Sequence, residues 1–174
     1  MLQNTHKIVL IGYMASGKTT VGKALAKKLN RPFIDLDQYI SEQKGMSVAQ
    51  IFSTEGEDYF RTLEYDNLKE LLEIDSEYII ALGGGTPEIE DVMTLVNQKS
   101  MSIFLYADTE TLFNRLKPKN IERPLLTDLS EDLLKIYISD HLKKRSPFYF
   151  QADLTINTQN KSTETIVKKI VEFV

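Results

Sequence analysis

The sequence predicts an α/β protein, a three-layer α/β/α sandwich in which helices cover both faces of a parallel sheet. Short apolar runs alternate with amphipathic stretches, which is the pattern of successive βαβ units. A glycine-containing segment at residues 12–19 follows the first apolar run and leads directly into a helical pattern. The chain has 174 residues, a length that fits one domain, so we expect residues 1–174 to form a single domain.

Short apolar runs predict the strands, and the stretches between them predict the helices. The helical stretches carry apolar residues at spacings of three and four. The expected strands are residues 7–11, 33–36, 78–82, 102–106 and 154–156. The expected helices are residues 18–29, 57–72, 89–96, 109–116, 132–144 and 163–173.

Residues 117–130 form the least periodic stretch of the chain. Pro118 and Pro124 interrupt any helix there, and the segment is rich in charge. We therefore expect a mobile surface segment between the fourth and fifth helical patterns.

The composition limits the classes of function. Apolar residues make up 42% of the chain and charged residues 26%, which is typical of a globular protein. The net charge of -4 argues against a nucleic-acid partner, and the lack of cysteine excludes disulfides, thiolate zinc sites and thiol nucleophiles. The sequence shows no signal-peptide pattern and no run of about 20 apolar residues, so we expect a cytoplasmic chain with no membrane partner. A monomer is expected.

The segment GYMASGKT, residues 12–19, matches the phosphate-binding pattern G-x-x-x-x-G-K-[ST]. Its glycines let backbone N–H groups surround an anion, and the helix N-terminus adds a positive dipole. Lys18 supplies a charge, and the Thr19 hydroxyl is a ligand for Mg²⁺. An ordinary strand-to-helix turn with an exposed lysine is the alternative. The expected nucleotide contacts are Gly12, Ala15, Ser16, Gly17, Lys18, Thr19 and Thr20.

Asp35 and Asp37 lie two residues apart at the end of the second predicted strand. Because strand side chains alternate with a period of two, we expect both carboxylates on one side, beside the phosphate loop. Asp35 is then a water-mediated Mg²⁺ partner, and Asp37 accepts a hydrogen bond from a substrate hydroxyl and acts as base. The alternatives are a pair of solvated loop acids or a helix N-cap at Asp37.

Arginines and a glycine run indicate a small acidic acceptor. Residues 83–85 are consecutive glycines at the end of the third predicted strand, where a ligand could approach the backbone closely. Arg61 and Arg145 are candidate anion ligands, and Arg123, in the proline-broken segment, is a candidate lid arginine. Each arginine also has a structural explanation, as a side chain lying along apolar surface or at a helix end.

Taken together, these segments resemble the shikimate kinase family over about residues 7–157. The matching segments are GYMASGKTTVGKALAKKL, FIDLD, IFSTEGEDYFRTLE, ALGGG, RPLL and KKRSPFY, in this order. The resemblance implies ATP-dependent phosphorylation of the 3-hydroxyl of shikimate, a step towards chorismate and the aromatic amino acids. It also implies a P-loop kinase fold similar to nucleoside monophosphate kinases, with sheet order 2-3-1-4-5, a substrate-binding region at about 37–65 and a closing lid at about 117–130.

The resemblance assigns roles to individual residues. Shikimate is held by its carboxylate and hydroxyls, the phosphoryl group by cations, Mg²⁺ by oxygen ligands and adenine by a stacking arginine. By this resemblance, the shikimate ligands are Asp37, Arg61, Gly83, Gly84, Gly85 and Arg145. The catalytic residues are Lys18, Asp37 and Arg123, of which Lys18 and Arg123 also contact ATP. Thr19 and Asp35 organise Mg²⁺, and Arg115 stacks on adenine. Thr86, Pro87 and Glu88 depart from the family pattern after the triple glycine.

Two alternatives remain open at the level of sequence. A gluconate-type, nucleotide or other small-molecule P-loop kinase shares the phosphate loop but not the arginine and glycine series. A non-catalytic nucleotide-binding regulatory domain is a different class of protein, and it could lose Asp37 without penalty. A GTPase is disfavoured because the sequence contains no N-K-x-D tetrad.

Overall fold

A five-stranded parallel sheet forms the centre of the fold in a computed structural model that describes residues 7–117 and 130–174. Its order is β2-β3-β1-β4-β5, and Leu10 in the central strand pairs with Ala81 on one side and Ile103 on the other. The strands are β1 (Ile8–Ile11), β2 (Phe33–Asp35), β3 (Ile79–Ala81), β4 (Met101–Tyr106) and β5 (Leu154–Asn157).

Helices cover both faces of this sheet. They are α1 (Lys18–Leu29), α2 (Leu36–Lys44), α3 (Val48–Glu55), α4 (Glu57–Glu73), α5 (Val92–Lys99), α6 (Thr109–Leu116), α7 (Glu131–Tyr149) and α8 (Thr163–Val171), and a 3₁₀ turn lies at Thr86–Glu88.

Side chains of the central strand divide between two apolar cores. Val9 and Ile11 pack into one core with α2, α4, α5, α6 and α7, whereas Ile8 and Leu10 pack into the other with α1 and α8. This division follows from the alternation of strand side chains between faces. The two cores confirm the three-layer α/β/α fold, and the strand pairing confirms the sheet order 2-3-1-4-5. Within the described ranges, no helix is long and apolar enough to cross a membrane.

The predicted elements leave residues 37–56 without a helix, and this prediction is wrong. Helix α2 begins immediately after β2, and α3 follows it after a short turn. Both are short, and such helices depend on tertiary packing, here the burial of Ile40 and Ile51 against α4 residues such as Phe60. For α3 a sequence signal existed, because Ser47 and Gln50 form a capping box.

The predicted helix at 89–96 is also misplaced. The structure has the 3₁₀ turn Thr86–Glu88 first, with Pro87 in its opening positions, and α5 starts only at Val92. Asp91, just before α5, has a positive φ of 62°, which breaks a continuous helix. The glycine run is therefore followed by a compact turn and not by the helix that the periodicity predicts.

Helix α7 continues beyond its predicted end at residue 144. It passes through Pro147 and ends at Tyr149, whose side chain is fully buried. Proline removes one backbone hydrogen bond, but burial of Tyr149 and the bond from the Ser146 hydroxyl to the Leu142 carbonyl, at 2.6 Å, offset that loss. Arg145 consequently lies inside the helix and not at its C-terminus.

Candidate active site

The phosphate loop lies between the end of β1 and the start of α1, as the sequence predicts. Ala15 and Gly17 have positive φ angles of 62° and 104°, which turn neighbouring N–H groups towards one side and form an anion-binding concavity. Gly17 is the N-cap of α1 and has no side chain to cap it, so the first-turn N–H groups can face an anion. The expected nucleotide contacts, Gly12, Ala15, Ser16, Gly17, Lys18, Thr19 and Thr20, all lie in this loop or in the first turn of α1.

Lys18 and Thr19 connect the phosphate loop to its surroundings. The Lys18 Nζ donates hydrogen bonds to the carbonyls of Gly12, at 2.8 Å, and Tyr13, at 3.1 Å. The Thr19 hydroxyl donates to Asp35 Oδ2 at 2.8 Å. The start of α1 therefore carries the charge of Lys18 and, next to it, the Thr19 hydroxyl that contacts Asp35 at the end of β2.

Asp35 and Asp37 do not share a strand, so that expectation is wrong. Asp35 is the last residue of β2 and the N-cap of α2, whereas Asp37 lies in the first turn of α2. The strand ends one residue earlier than predicted because Leu36 already belongs to the helix. Asp37 nevertheless faces the site, and its Oδ1 is a buried oxygen with no hydrogen-bond partner among residues 7–117 and 130–174.

The environment of Asp37 alters its acidity. The pKa of the Asp37 carboxyl is raised from 3.8 to about 6, chiefly by burial and in smaller part by the nearby carboxylates of Glu64 and Asp35. Lys18 and Arg61 oppose this shift. A carboxyl with a pKa near 6 is mostly ionised at neutral pH and is a much better proton acceptor than an ordinary aspartate.

The three consecutive glycines each face a different charged side chain. A β-carbon on Gly83 would lie 2.7 Å from Asp37 Oδ1, and one on Gly85 would lie 2.6 Å from Arg61 Nη2. A β-carbon on Gly84 would lie 3.5 Å from Arg145 Nη1 and 3.5 Å from the backbone nitrogen of Met14 in the phosphate loop. The glycine loop therefore brings one carboxylate and two guanidinium groups together next to the phosphate loop.

Arg61 is held by two carboxylates of its own helix. It donates through Nη1 to Glu64 Oε2 at 2.5 Å and through Nη2 to Glu57 Oε1 at 2.8 Å. Burial lowers the pKa of Arg61, but attraction and hydrogen bonds from Glu64 and Glu57 outweigh it and raise the pKa. The guanidinium therefore stays charged and oriented at the edge of the glycine loop.

Arg145 approaches the same loop from α7. Its Nε donates to Glu88 Oε2 at 2.7 Å, and its guanidinium carbon lies 5.7 Å from the centroid of the Tyr13 ring. Tyr149, one turn further along α7, donates its hydroxyl to the Gly84 carbonyl at 2.6 Å. Contacts between α7 and the glycine loop therefore fix where Arg145 enters the site.

Arg115, from α6, contacts the back of the phosphate loop. It donates to the carbonyls of Ala15 at 3.2 Å, Ser16 at 3.3 Å and Thr158 at 3.0 Å. The structure thus brings Arg115 from α6 to the phosphate loop and to the segment after β5. Arg123 and most of the predicted lid lie outside the described residues.

Two acidic residues of the site are absent from the sequence-based list. Glu64 is 1% exposed and pairs with Arg61, and Glu88 is half-buried and pairs with Arg145. Glu64 had a recognisable signal, because it follows Phe60 and Leu63 on the apolar face of a helix, where charged side chains are rare unless paired. Glu88 had none, because only the tertiary fold brings it to Arg145.

Comparison with known proteins decides the family. The model of the shikimate kinase family matches residues 14–174. The chain belongs to this family. The shikimate kinase of Flavobacterium psychrophilum is 41% identical over 165 residues, which cover 94% of this chain and 96% of that protein.

Solved shikimate kinases share the architecture. The 1.7 Å crystal structure of the enzyme from Bacteroides thetaiotaomicron has a TM-score of 0.90 and 40% sequence identity, covering 96% of this chain and 97% of that chain. The Acinetobacter baumannii enzyme, solved in complex with shikimate, has a TM-score of 0.86 and 33% identity, covering 96% and 91%. These likenesses support the shikimate kinase interpretation, and not the gluconate-type kinase or the non-catalytic regulatory domain.

Proposed function

We propose that this chain transfers the γ-phosphoryl group of ATP to the 3-hydroxyl of shikimate, giving shikimate 3-phosphate and ADP. The arrangement around the glycine loop carries the proposal. Gly83, Gly84 and Gly85 face Asp37, Arg145 and Arg61 in turn, and a β-carbon on Gly84 would also lie 3.5 Å from the phosphate loop. A small acceptor bound there would lie beside the phosphate donor.

The chemistry of shikimate matches this arrangement. Its carboxylate suits guanidinium groups, which bind carboxylates through two parallel hydrogen bonds, and we assign that role to Arg61 and Arg145. Its hydroxyls suit Asp37, whose Oδ1 has no partner in the described part of the chain. Asp37 then orients the attacking hydroxyl and accepts its proton as the phosphoryl group is transferred.

The phosphoryl group is stabilised by charge, without a covalent intermediate. We assign this role to Lys18, to the N–H groups of the phosphate loop and to Arg123, which lies outside the described residues. Arg115 is assigned to the adenine end of the nucleotide. In this proposal the substrate-binding region is about residues 37–65 and the lid about residues 117–130.

An oxygen at the start of α1 and another at the end of β2 fit a magnesium ion. Thr19 Oγ1 and Asp35 Oδ2 lie 2.8 Å apart, and Mg²⁺ prefers oxygen ligands. No cluster of three His, Cys, Asp or Glu that could hold a metal occurs within residues 7–117 and 130–174. Mg²⁺ at a nucleotide site is usually held by one or two protein oxygens, water and the nucleotide phosphates. Bound there, Mg²⁺ would neutralise phosphate charge.

A cytoplasmic location and a monomeric state stay predictions of the sequence.

The function is tested by ADP release from ATP and Mg²⁺ with shikimate, gluconate, AMP or no acceptor. We expect release that depends on shikimate, and ³¹P NMR of the product should show one phosphomonoester and ADP. Release with gluconate or AMP at a comparable rate, or with no acceptor, would show that the acceptor is misassigned.

Arg61→Lys should raise the KM for shikimate by about 10- to 100-fold and leave the KM for ATP near wild type. Lysine keeps the charge beside the buried Glu64 but cannot form the paired hydrogen bonds of a guanidinium. Arg31→Lys is the matched control, because Arg31 also forms an ion pair, with Glu77 at 3.1 Å, at a distance from the glycine loop. An unchanged KM for shikimate would remove Arg61 from the acceptor site.

The dependence of kcat/KM on pH should follow the ionisation of the Asp37 carboxyl. Because its pKa is raised to about 6, kcat/KM for shikimate should be level above pH 7 and fall about tenfold per pH unit well below pH 6. Titrating shikimate without nucleotide by calorimetry, between pH 5 and 8, avoids protonation of the ATP phosphates. A kcat/KM and a shikimate affinity that both stay level from pH 8 down to pH 5 would contradict the assigned environment of Asp37.

A further inference from the structure

The turn Thr86–Glu88 follows directly on the glycine loop and is attached to it by backbone hydrogen bonds. The Thr86 N–H donates to the Gly83 carbonyl at 3.3 Å, and the Glu88 N–H donates to the Gly85 carbonyl at 3.0 Å. Thr86 and Pro87 are buried. Because proline also fixes its own φ, the turn holds a defined position relative to the glycines.

One end of the turn orients Arg145. Glu88 Oε2 accepts from Arg145 Nε, and the two side chains are only 21% and 13% exposed. The second cation near Glu88, Lys144, is 3.8 Å away and 78% exposed, so it contributes little. Glu88 occupies Nε, and the terminal nitrogen Nη1 of Arg145 would lie 3.5 Å from a β-carbon on Gly84.

The other end of the turn reaches Arg61. The Thr86 hydroxyl donates to Glu64 Oε1, while Glu64 Oε2 accepts from Arg61 Nη1 at 2.5 Å. Thr86 is 0% and Glu64 1% exposed, so this chain of hydrogen bonds is shielded from water. Hydrogen bonds are electrostatically stronger in the protein interior than at its surface.

We propose that Thr86 and Glu88 are positioning residues, which hold the two guanidinium groups of the acceptor site at fixed positions relative to each other. Glu88 acts on Arg145 directly, and Thr86 acts on Arg61 through Glu64. Neither residue touches the acceptor. The inference rests on the proposed function, in which Arg61 and Arg145 bind the acceptor carboxylate. Its physical basis is that two ligands attached to one rigid turn lose little freedom when the carboxylate binds.

The test for Glu88 is Glu88→Ala, with Glu90→Ala as the matched control, because Glu90 is an exposed glutamate two residues away. We expect the KM for shikimate to rise about tenfold in Glu88→Ala, the effect of losing one hydrogen bond to a charged group. kcat and the KM for ATP should stay within about twofold of wild type, since the phosphate loop is untouched. Glu90→Ala should match wild type. If Glu88→Ala fails to fold, Glu88→Leu, which keeps more of the side-chain volume but has no hydrogen-bond acceptor, decides by the same KM shift.

A double-mutant cycle separates this inference from the proposed function. In an Arg145→Ala background, Glu88→Ala should cause no further rise in the KM for shikimate, because Glu88 acts through Arg145. If Arg145→Ala alone leaves that KM unchanged, the assigned role of Arg145 is wrong. If Arg145→Ala raises it but Glu88→Ala does not, or lowers it, Glu88 is not a positioning residue and the inference is overturned.

Thr86 is tested by removing only its hydroxyl. Thr86→Val should raise the KM for shikimate several-fold, and Thr86→Ser, which restores the donor to Glu64, should return it towards wild type. Equal KM values for wild type and Thr86→Val would refute the Thr86 part of the proposal. A KM for Thr86→Ser that is raised as far as that for Thr86→Val would do the same, since the hydroxyl that Thr86→Ser keeps would then give no benefit.

Discussion

Replacing Lys18 with methionine should lower kcat by about 10³-fold, because a preorganised charge next to the transferring phosphoryl group is among the largest contributions to such catalysis. Methionine keeps most of the length and apolar volume of the side chain. It cannot donate to the carbonyls of Gly12 and Tyr13, so the phosphate loop should also hold ATP less tightly. Initial rates of ADP release and calorimetric titration of a non-hydrolysable ATP analogue measure the two effects.

Lys23→Met is the matched control for Lys18. Lys23 is an exposed lysine on the same helix, so its replacement makes the same change of charge and should leave kcat within about twofold of wild type. A kcat for Lys18→Met within tenfold of wild type, with an unchanged melting temperature, would show that Lys18 does not stabilise the transferring group.

Asp37→Asn should lower kcat by about 10³-fold and change the KM for shikimate much less. Asparagine keeps an oxygen that can accept a hydrogen bond from a substrate hydroxyl, but it cannot take up the proton. Asp75→Asn, at an exposed position before β3, makes the same change away from the site and should behave as wild type. Turnover of Asp37→Asn near the wild-type rate would show that the carboxylate has a structural role only.

The same substitution should stabilise the fold at pH 8. Since the pKa of Asp37 is raised in the native state, the folded protein binds its proton more tightly than the unfolded chain does. The contribution of Asp37 to stability is therefore greatest below pH 4 and is lost as the pH rises from about 4 to 6. Asparagine removes the free-energy cost of burying an ionised carboxylate, but it also loses the favourable interaction of that carboxylate with the first turn of α2. The net gain in the free energy of unfolding is about 1 to 2 kcal/mol.

Urea unfolding at pH 8 and pH 4 checks this stability effect. We expect Asp37→Asn to be more stable than wild type at pH 8 and equal to it at pH 4. A variant that is less stable than wild type at pH 8 would show that the Asp37 carboxylate has favourable partners in the folded state. Higher stability combined with lower turnover is expected of a charged group that is buried for catalysis and not for folding.

The fold class and the phosphate loop could be predicted because their signals are local. The run Ile8-Val9-Leu10-Ile11, the pattern G-x-x-x-x-G-K-T and the apolar periodicity of residues 18–29 are contiguous in sequence. The structure accordingly begins α1 at Lys18 and ends it at Leu29, as predicted. The residues around Asp37 were less predictable, because a short helix such as α2 is stabilised mainly by packing on α4 and has a weak signal of its own.

The sequence by itself therefore determined the layered α/β fold, the place of the phosphate loop and the residue types suited to an anionic, hydroxylated acceptor. The tertiary structure decided how those residues meet. Parallel strands end at one edge of the sheet, which brings the glycine loop after β3 next to the phosphate loop after β1. It also decided the partners Glu64 and Glu88, since a buried or half-buried charge needs a counter-charge that only packing between helices and loops can bring within reach.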